Sequence, residues 1–229
     1  MMTSATTLFT LENKCTYTVW PGIISGNSAI SGDGGFSLAP DNTHQIIAQP
    51  GWSGRIWART GCNFDDNENG HCTTGDCGSR LRCLASGAPP ATLVEFTIGS
   101  GGGMDFYDVS LVDGYNVGIS VRAQGGLGDC RSSGCAADIN AICPWELKVV
   151  GDDGGKVVAC KSACVAFGSP EFCCSGQHSN PDTCNPTSYS RMFKNACPQA
   201  YSYAYDDKSS LGTCTGSNYV ITFCPSELD

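Results

Sequence analysis

The sequence has 229 residues, of which 29 are glycine and only 15% are charged, and its formal net charge is −9 with a pI near 4.6. Such an acidic chain is not expected to bind nucleic acid or anionic membranes. It contains neither a block of Lys and Arg nor an apolar run long enough to insert stably into a bilayer. The length suits one large all-β domain or a core with attached lobes.

Sixteen cysteines are the strongest compositional signal. Their number is even, no two are spaced Cys-x-x-Cys, and only three histidines accompany them, which argues against metal sites and thioredoxin-like motifs. Eight disulfides in an oxidising compartment, and hence a secreted protein without a metal or cofactor, are predicted. Residues 1–14 lack the charged and apolar regions of a signal peptide, so we expect a mature chain.

The first predicted strands lie in residues 7–20, with a break near Asn13, and Pro21-Gly22 is expected to end them. After a weaker strand at His44–Ala48, the stretch Arg55–Arg59 alternates. Alternation directs Ile56 and Ala58 to a core, and leaves two guanidinium groups and an indole on the opposite face.

A small cysteine-rich lobe is predicted between Cys62 and Cys83, where Asp, Asn and Gly surround four cysteines. Two neighbouring strands follow at Thr92–Ile98 and from Asp105 onward, because a glycine-rich turn at 99–103 joins two β-branched and aromatic runs. Another strand is expected at Asn116–Arg122.

A second cysteine-dense region runs from Cys130 to Cys197. Within it, the apolar spacing of Lys156–Phe167 predicts a helix that Gly168 ends, and Ser188–Ala196 predicts a second short helix. Residues 218–224 form the closing strand. The pattern as a whole indicates a mainly β protein with two disulfide-rich lobes.

Carboxylates are the remaining candidates for chemistry, since no Gly-x-Ser-x-Gly elbow, phosphate-binding loop or His-Glu-x-x-His motif occurs. Glu95 lies inside an apolar strand, where a charge is costly, so we expect it to face solvent or a cleft. Asp108 and Asp113 are five residues apart, and Asp113-Gly114 signals a turn that can bring both to one groove. Paired carboxylates hydrolyse glycosides and also bind sugar hydroxyls without reaction.

Several segments together resemble the thaumatin-like, pathogenesis-related family 5 proteins of plants, from about Leu8 to Pro225. They are Cys15-Thr-Tyr-Thr-Val-Trp20, Arg55-Ile-Trp-Ala-Arg-Thr-Gly-Cys62, Gly75-Asp-Cys77, Pro89-Pro-Ala-Thr-Leu-Val-Glu-Phe96, Asp105-Phe-Tyr-Asp-Val-Ser-Leu-Val-Asp-Gly-Tyr-Asn116, Cys173-Cys174, Tyr201-Ser-Tyr-Ala-Tyr-Asp206 and Phe223-Cys-Pro225.

The resemblance implies a thaumatin-like β-sandwich core with two disulfide-rich flanking lobes. The core is expected to comprise residues 1–60, 91–133 and 198–229, the small lobe 61–90, and the larger, helix-containing lobe 134–197. It also implies the cysteine pairs Cys15–Cys224, Cys62–Cys72, Cys77–Cys83, Cys130–Cys214, Cys135–Cys197, Cys143–Cys160, Cys164–Cys173 and Cys174–Cys184.

An acidic cleft between the core and the larger lobe is a further implication. Its residues in the family match Arg55, with Arg59 as the alternative, together with Glu95, Asp108, Asp113 and either Asp206 or Asp207. Glu95 is the expected proton donor, Asp108 or Asp113 the expected base, and Trp57 or a tyrosine is available for stacking.

The resulting hypothesis is a monomeric, secreted antifungal defence protein of the apoplast or vacuole. It binds fungal β-1,3-glucan in the cleft and has at most weak endo-glucanase activity. The alternative is a non-catalytic defence or stress protein acting on fungal membranes or proteins. Sweet taste is not expected, because the sweet members of the family are basic.

Overall fold

The computed structural model describes residues 6–26, 34–152 and 154–228. Its strands are β1 (Thr7–Asn13), β2 (Trp20–Ser25), β3 (Thr43–Ala48), β4 (Ser53–Arg59), β5 (Asn63–Phe64), β6 (Gly70–His71), β7 (Leu93–Thr97), β8 (Asp105–Ser110), β9 (Ile119–Gln124), β10 (Ser133–Cys135), β11 (Lys148–Val150), β12 (Val157–Cys160), β13 (Gly212–Cys214) and β14 (Asn218–Phe223). Its α-helices are α1 (Ile139–Ile142), α2 (Ala163–Phe167), α3 (Pro170–Cys173), α4 (Ser188–Ala196) and α5 (Asp207–Ser210), and single 3-10 turns occur at Trp145–Leu147 and Gly176–His178. None of these helices is long and apolar enough to cross a membrane.

Two five-stranded sheets form the centre of the molecule, in the orders β10-β9-β14-β1-β3 and β13-β8-β7-β4-β2. β1 and β14 pair in parallel, while the other pairings within the two sheets are antiparallel. The inner faces of the sheets meet through aromatic rings, with Phe9 and Phe96 at 4.6 Å and Tyr107 and Tyr219 at 5.0 Å between centroids. The expected mainly β sandwich is therefore confirmed.

The lobes attach to this sandwich through short elements. β5 and β6 form a hairpin in the small lobe, and β11, β12 and helices α1 to α4 lie in the larger one. The predicted helix at Ser188–Ala196 is confirmed as α4, which begins with a capping box between Thr187 and Ser190. The predicted lobe boundaries stay predictions, and residues 1–5, 27–33, 153 and 229 lie outside the described residues.

The predicted helix over Lys156–Phe167 is wrong in its first half. Val157–Cys160 instead forms β12, which pairs with β11, in keeping with its β-branched residues. Helix α2 starts only at Ala163, because the Ser162 side chain caps it by accepting a hydrogen bond from Val165 N at 3.2 Å. It ends at Gly168 in the left-handed conformation, as predicted.

One further expectation fails at β2. Pro21-Gly22 lies inside β2 rather than after it, which is possible because β2 is an edge strand and needs no donor on its outer side. On β4, Trp57 and Arg59 are fully buried because the small lobe covers them, whereas Arg55 on the same face is exposed.

All sixteen cysteines pair in eight disulfides, in the pairs that the resemblance implies. The Cys15–Cys224 bond follows the parallel pairing of β1 with β14 and joins cysteines 209 positions apart. On the chain-entropy model, closing a loop of this length stabilises the fold by roughly 5 kcal/mol.

Candidate functional site

Three ionisable side chains form a row across the outer face of the second sheet. The strand register places Arg55 of β4 opposite Glu95 of β7, and Glu95 opposite Asp108 of β8. Directly opposed residues project to the same face of a sheet, with their Cβ atoms about 4.5–5.5 Å apart. Strand pairing thus brings together three residues that are far apart in the sequence.

Arg55 and Glu95 form an ion pair in this row. Nε of Arg55 donates a hydrogen bond to Oε1 of Glu95 at 2.7 Å, and the two side chains are 45% and 34% exposed. An exposed pair of this kind contributes about 0–1 kcal/mol to stability. Its effect is local: it orients the Glu95 carboxylate and places the cation of the site beside it.

Asp108 has no such partner. Among the described residues, its Oδ1 atom is shielded from solvent and accepts no hydrogen bond. Burial raises the pKa of Asp108 to about 8, and the nearby carboxylates Glu95 and Asp207 act in the same direction against Arg55. Below that pH, Asp108 is a neutral acid.

The opposite wall is the segment from Tyr201 to Asp207, which returns from the larger lobe. Tyr201 docks on the end of β8 through two backbone hydrogen bonds, from Tyr201 N to Val109 O and from Leu111 N to Tyr201 O, both 2.8 Å. Its hydroxyl donates to Oδ1 of Asp207 at 2.8 Å, and burial and this carboxylate raise the pKa of Tyr201.

An open cavity of about 410 Å³ lies between these walls. Asp113 enters it from the turn after β8, in which Gly114 N donates to Leu111 O at 2.9 Å. The turn therefore brings Asp113 to the same groove as Asp108. The lining consists of Arg55, Leu93, Glu95, Asp108, Ser110, Val112, Asp113, Tyr201, Ala204 and Asp207.

Asp206 and Asp207 have different surroundings. The Asp206 carboxylate accepts hydrogen bonds from the backbone and hydroxyl of Ser202, at 3.0 and 2.9 Å, and pairs with Lys194 of α4 at 2.8 Å. Asp207 instead lines the cavity. The geometry favours Asp207 as the cleft member, with Asp206 fixing the segment that carries it.

The structure also distinguishes Arg55 from Arg59 as the cleft arginine, and Trp57 from a tyrosine as the stacking residue. Arg55 lines the cavity, whereas Arg59 is 0% exposed and donates to carbonyl groups of β2 and of the small lobe. Trp57 is also 0% exposed, and its Nε1 donates to Gly75 O at 2.8 Å, so the expectation that it stacks on a ligand is wrong. Tyr201 is the aromatic residue in the cavity wall.

The cavity combines the Arg55–Glu95 ion pair, the neutral acid Asp108, two further acidic side chains at Asp113 and Asp207, and a tyrosine. Sequence reasoning did not single out Tyr201, although the tyrosine-rich segment ending at Asp206 carries it. Carboxylates accept hydrogen bonds from neutral hydroxyl groups, and a tyrosine ring stacks on the face of a sugar. A polysaccharide chain in an open groove fits this chemistry better than a small enclosed ligand.

Residues 13–225 match the model of the thaumatin family. The chain belongs to that family. It is 60% identical over 217 residues to Pathogenesis-related protein 5 of Arabidopsis thaliana, covering 95% of this chain and 90% of the relative. It is 53% identical over 218 residues to a Prunus avium protein named Glucan endo-1,3-beta-glucosidase, covering 93% and 89% of the two chains.

The fold of this thaumatin-family chain also matches a solved laminaripentaose-producing beta-1,3-glucanase in complex with laminaritetraose. The TM-score is 0.64 at 12% identity, with 97% of this chain and 99% of the other covered. At that identity the likeness concerns the fold alone. The many disulfides and the pathogenesis-related relatives are consistent with a secreted protein.

Proposed function

We propose that this protein is a secreted plant defence protein that binds β-1,3-glucan of fungal walls in the acidic cavity. The observation that carries the proposal is the cross-strand row of Arg55, Glu95 and Asp108, facing an open groove of about 410 Å³. The Prunus avium relative named as a β-1,3-glucosidase supports the choice of glucan. In this proposal the protein acts as a monomer in the apoplast or the vacuole.

Glucan binding uses the charged groups as hydrogen-bond acceptors. Asp113 lines the groove from the turn after β8 and Asp207 from the start of α5, and Glu95 is held in place by Arg55. Each carboxylate accepts hydroxyl donors from the sugar, and charge-assisted bonds of this kind contribute about 1.5–3 kcal/mol. Tyr201 offers the ring surface for stacking.

Any hydrolysis in this cavity depends on a proton donor, and we assign that role to Asp108 rather than to Glu95. Glu95 is ion-paired with Arg55, whereas Asp108 keeps its proton up to about pH 8. A general acid must hold its proton at the working pH and deliver it to the leaving oxygen. The base that activates water then comes from the ionised carboxylates of the same cavity.

Titration with laminarin at pH 5 tests the binding site. Glu95→Gln and Asp113→Asn should each weaken binding about tenfold or more, since each loses a charge-assisted bond. Asp66→Asn, which removes an exposed carboxylate of the small lobe, is the matched control and should bind like the parent. Equal affinity in all four proteins would move the function to another surface, as in the alternative of a defence protein acting on membranes or proteins.

Release of reducing ends from laminarin tests the proton donor. Asp108→Asn should bind laminarin within a few-fold of the parent at pH 5, because both side chains are neutral there and nearly isosteric. Hydrolysis should fall to background. Retained hydrolysis in Asp108→Asn, with loss in Glu95→Gln, would return the donor role to Glu95.

A further inference from the structure

A second groove is lined by residues of the sandwich and of both predicted lobes, and it shares no lining residue with the acidic cavity. The loop before β2 supplies Tyr17, and Trp20 is the first residue of β2. The small lobe supplies Gly61 and Thr73, and Lys156 lies just before β12. Its main cavity is about 460 Å³, and an adjoining cavity of about 290 Å³ shares Tyr17, Asn116, Asn140, Lys156 and Val157 with it. Ligand sites typically fall in this range of volume.

Two aromatic residues line this groove. Tyr17 is 41% exposed, and its hydroxyl lies 3.7 Å from Sγ of Cys224. Trp20 is half-buried, and its carbonyl accepts a hydrogen bond from Nε of Arg59 at 2.9 Å. Aromatic rings in a groove wall present flat apolar surfaces on which a ligand ring can stack.

The floor of the groove contains a polar atom that accepts no hydrogen bond from the described residues. Nδ2 of Asn140 donates to Asn116 O at 3.1 Å, but its Oδ1 is shielded and has no donor among the described residues. Asn116 cannot supply one, because its own Nδ2 already donates to Ala58 O and to Thr74 Oγ1, both at 2.9 Å. An unsatisfied buried acceptor costs about 1–3 kcal/mol, so a rotation of the Asn140 amide that brings its oxygen to a ligand donor in the groove is favourable.

The charges of the groove balance. Lys156 lines both cavities, Asp138 lines the adjoining one, and the remaining polar lining in the described residues is hydroxyl and amide groups. The nearness of Asp138 also contributes, after burial, to the raised pKa of Tyr17, which keeps that phenol neutral. The acidic cavity, by contrast, has several carboxylates around one arginine.

We infer that this groove binds a short neutral oligosaccharide, with sugar rings stacked on Tyr17 and Trp20. Sugar hydroxyls both donate and accept, so one ligand can donate to the amide oxygen of Asn140 and accept from Lys156 Nζ and the threonine hydroxyls. A charged ligand would leave one of Lys156 and Asp138 unfavourably placed. This site does not depend on glucan binding in the acidic cavity.

Two-dimensional NMR titrations of the parent protein test the inference with laminaritetraose, cellotetraose and chitotetraose as probes. At least one probe should produce saturable shifts at Tyr17, Trp20, Asn140 and Lys156, separate from shifts at Glu95 and Tyr201. Saturable shifts confined to Glu95 and Tyr201, or no shifts at the groove with any probe, would overturn the inference. Neither outcome would count against glucan binding in the acidic cavity, which the laminarin titration tests separately.

Variants provide the second readout, in a background in which Glu95→Gln and Asp113→Asn disable the acidic cavity. Tyr17→Ala should weaken binding of the active probe about tenfold, and Asn140→Ala several-fold. Trp145→Ala is the matched control, because Trp145 is 81% exposed on the larger lobe and does not line the groove. Equal binding in Tyr17→Ala, Asn140→Ala and Trp145→Ala would overturn the inference.

Discussion

The two ends of β4 have nearly the same chemistry in the sequence and opposite environments in the structure. Arg55 and Arg59 lie on the same face of the strand, four residues apart. The Arg55 side chain is 45% exposed in the acidic cavity, and that of Arg59 is 0% exposed beneath the small lobe. Alternation determines the face on which a side chain lies, but the lobe packed against that face determines whether it reaches solvent.

Their partners differ accordingly. Arg55 pairs with a carboxylate, while the Arg59 guanidinium donates to four backbone carbonyl groups and to a disulfide sulfur. The carbonyl acceptors are Trp20, Pro21, Arg80 and Leu81, at 2.7–3.3 Å. Burial lowers the pKa of Arg59 to about 10, against the opposing effect of Asp76, so it remains charged at neutral pH. Arg59 is thus a structural cation that joins β2 to the small lobe.

The largest expected effect follows from removing that cation. Arg59→Met should lower the free energy of unfolding by about 3 kcal/mol or more, because it leaves buried carbonyl groups without donors. Urea denaturation measures the loss, with Arg55→Met as the matched control at the other end of the strand. A loss below about 1 kcal/mol would mean that water or neighbouring groups replace the guanidinium, and would remove the distinction between the two ends.

An intermediate effect is expected from Asp108, next to the open end. The folded protein holds this proton up to about pH 8, whereas the carboxyl has an ordinary pKa of 3.8 in the unfolded chain. The folded state therefore binds more protons between these values, and the stability contributed by Asp108 falls as the pH rises from 4 to 8. Asp108→Asn lacks this penalty.

Thermal unfolding at pH 4 and at pH 8 measures the difference. Relative to the parent, the free energy of unfolding of Asp108→Asn should rise by on the order of 2 kcal/mol between pH 4 and pH 8. This is less than the full difference between the two pKa values implies, because solvent in the open cavity screens part of it. Asp66→Asn is again the control for a carboxylate in solvent. If the difference in stability between Asp108→Asn and the parent is the same at both pH values, the raised pKa of Asp108 is contradicted.

The smallest expected effect on stability belongs to Arg55→Met. Loss of an exposed ion pair should change the free energy of unfolding by less than about 1 kcal/mol. The same change should raise the pKa of Asp108 further, because Arg55 is the group that opposes its increase. Carbon-13 NMR titration of the carboxyl groups follows this pKa. An unchanged or lower value would show that the guanidinium does not act on Asp108.

Much of the fold was predictable, because β-branched runs, glycine turns and cysteine order are local signals. Glu95 and Asp108 could be grouped as cleft candidates, since an acid within an apolar strand is informative by itself. The burial of Trp57 could not be predicted, because it depends on a lobe folded back over β4. The helix expected at Lys156 failed for a related reason: apolar spacing cannot reveal that Val157–Cys160 pairs with β11.

The choice between neighbouring acids was also beyond the sequence. Asp206 and Asp207 have the same chemistry, and only the position of Lys194 on α4 draws one of them away from the cavity. Likewise, the register that aligns Arg55, Glu95 and Asp108 joins three strands and has no local signature. The acidic composition of the site was accessible from the sequence, whereas its arrangement required the tertiary structure.

The bond between Cys15 and Cys224 has a consequence for how the protein responds to proteases. A single cut at any peptide bond between these two cysteines leaves one fragment carrying Cys15 and another carrying Cys224, and the disulfide holds them together. A nicked molecule therefore keeps both fragments, and it migrates as two bands only after reduction. One cleavage in an exposed loop between the two cysteines therefore does not release a piece of the protein.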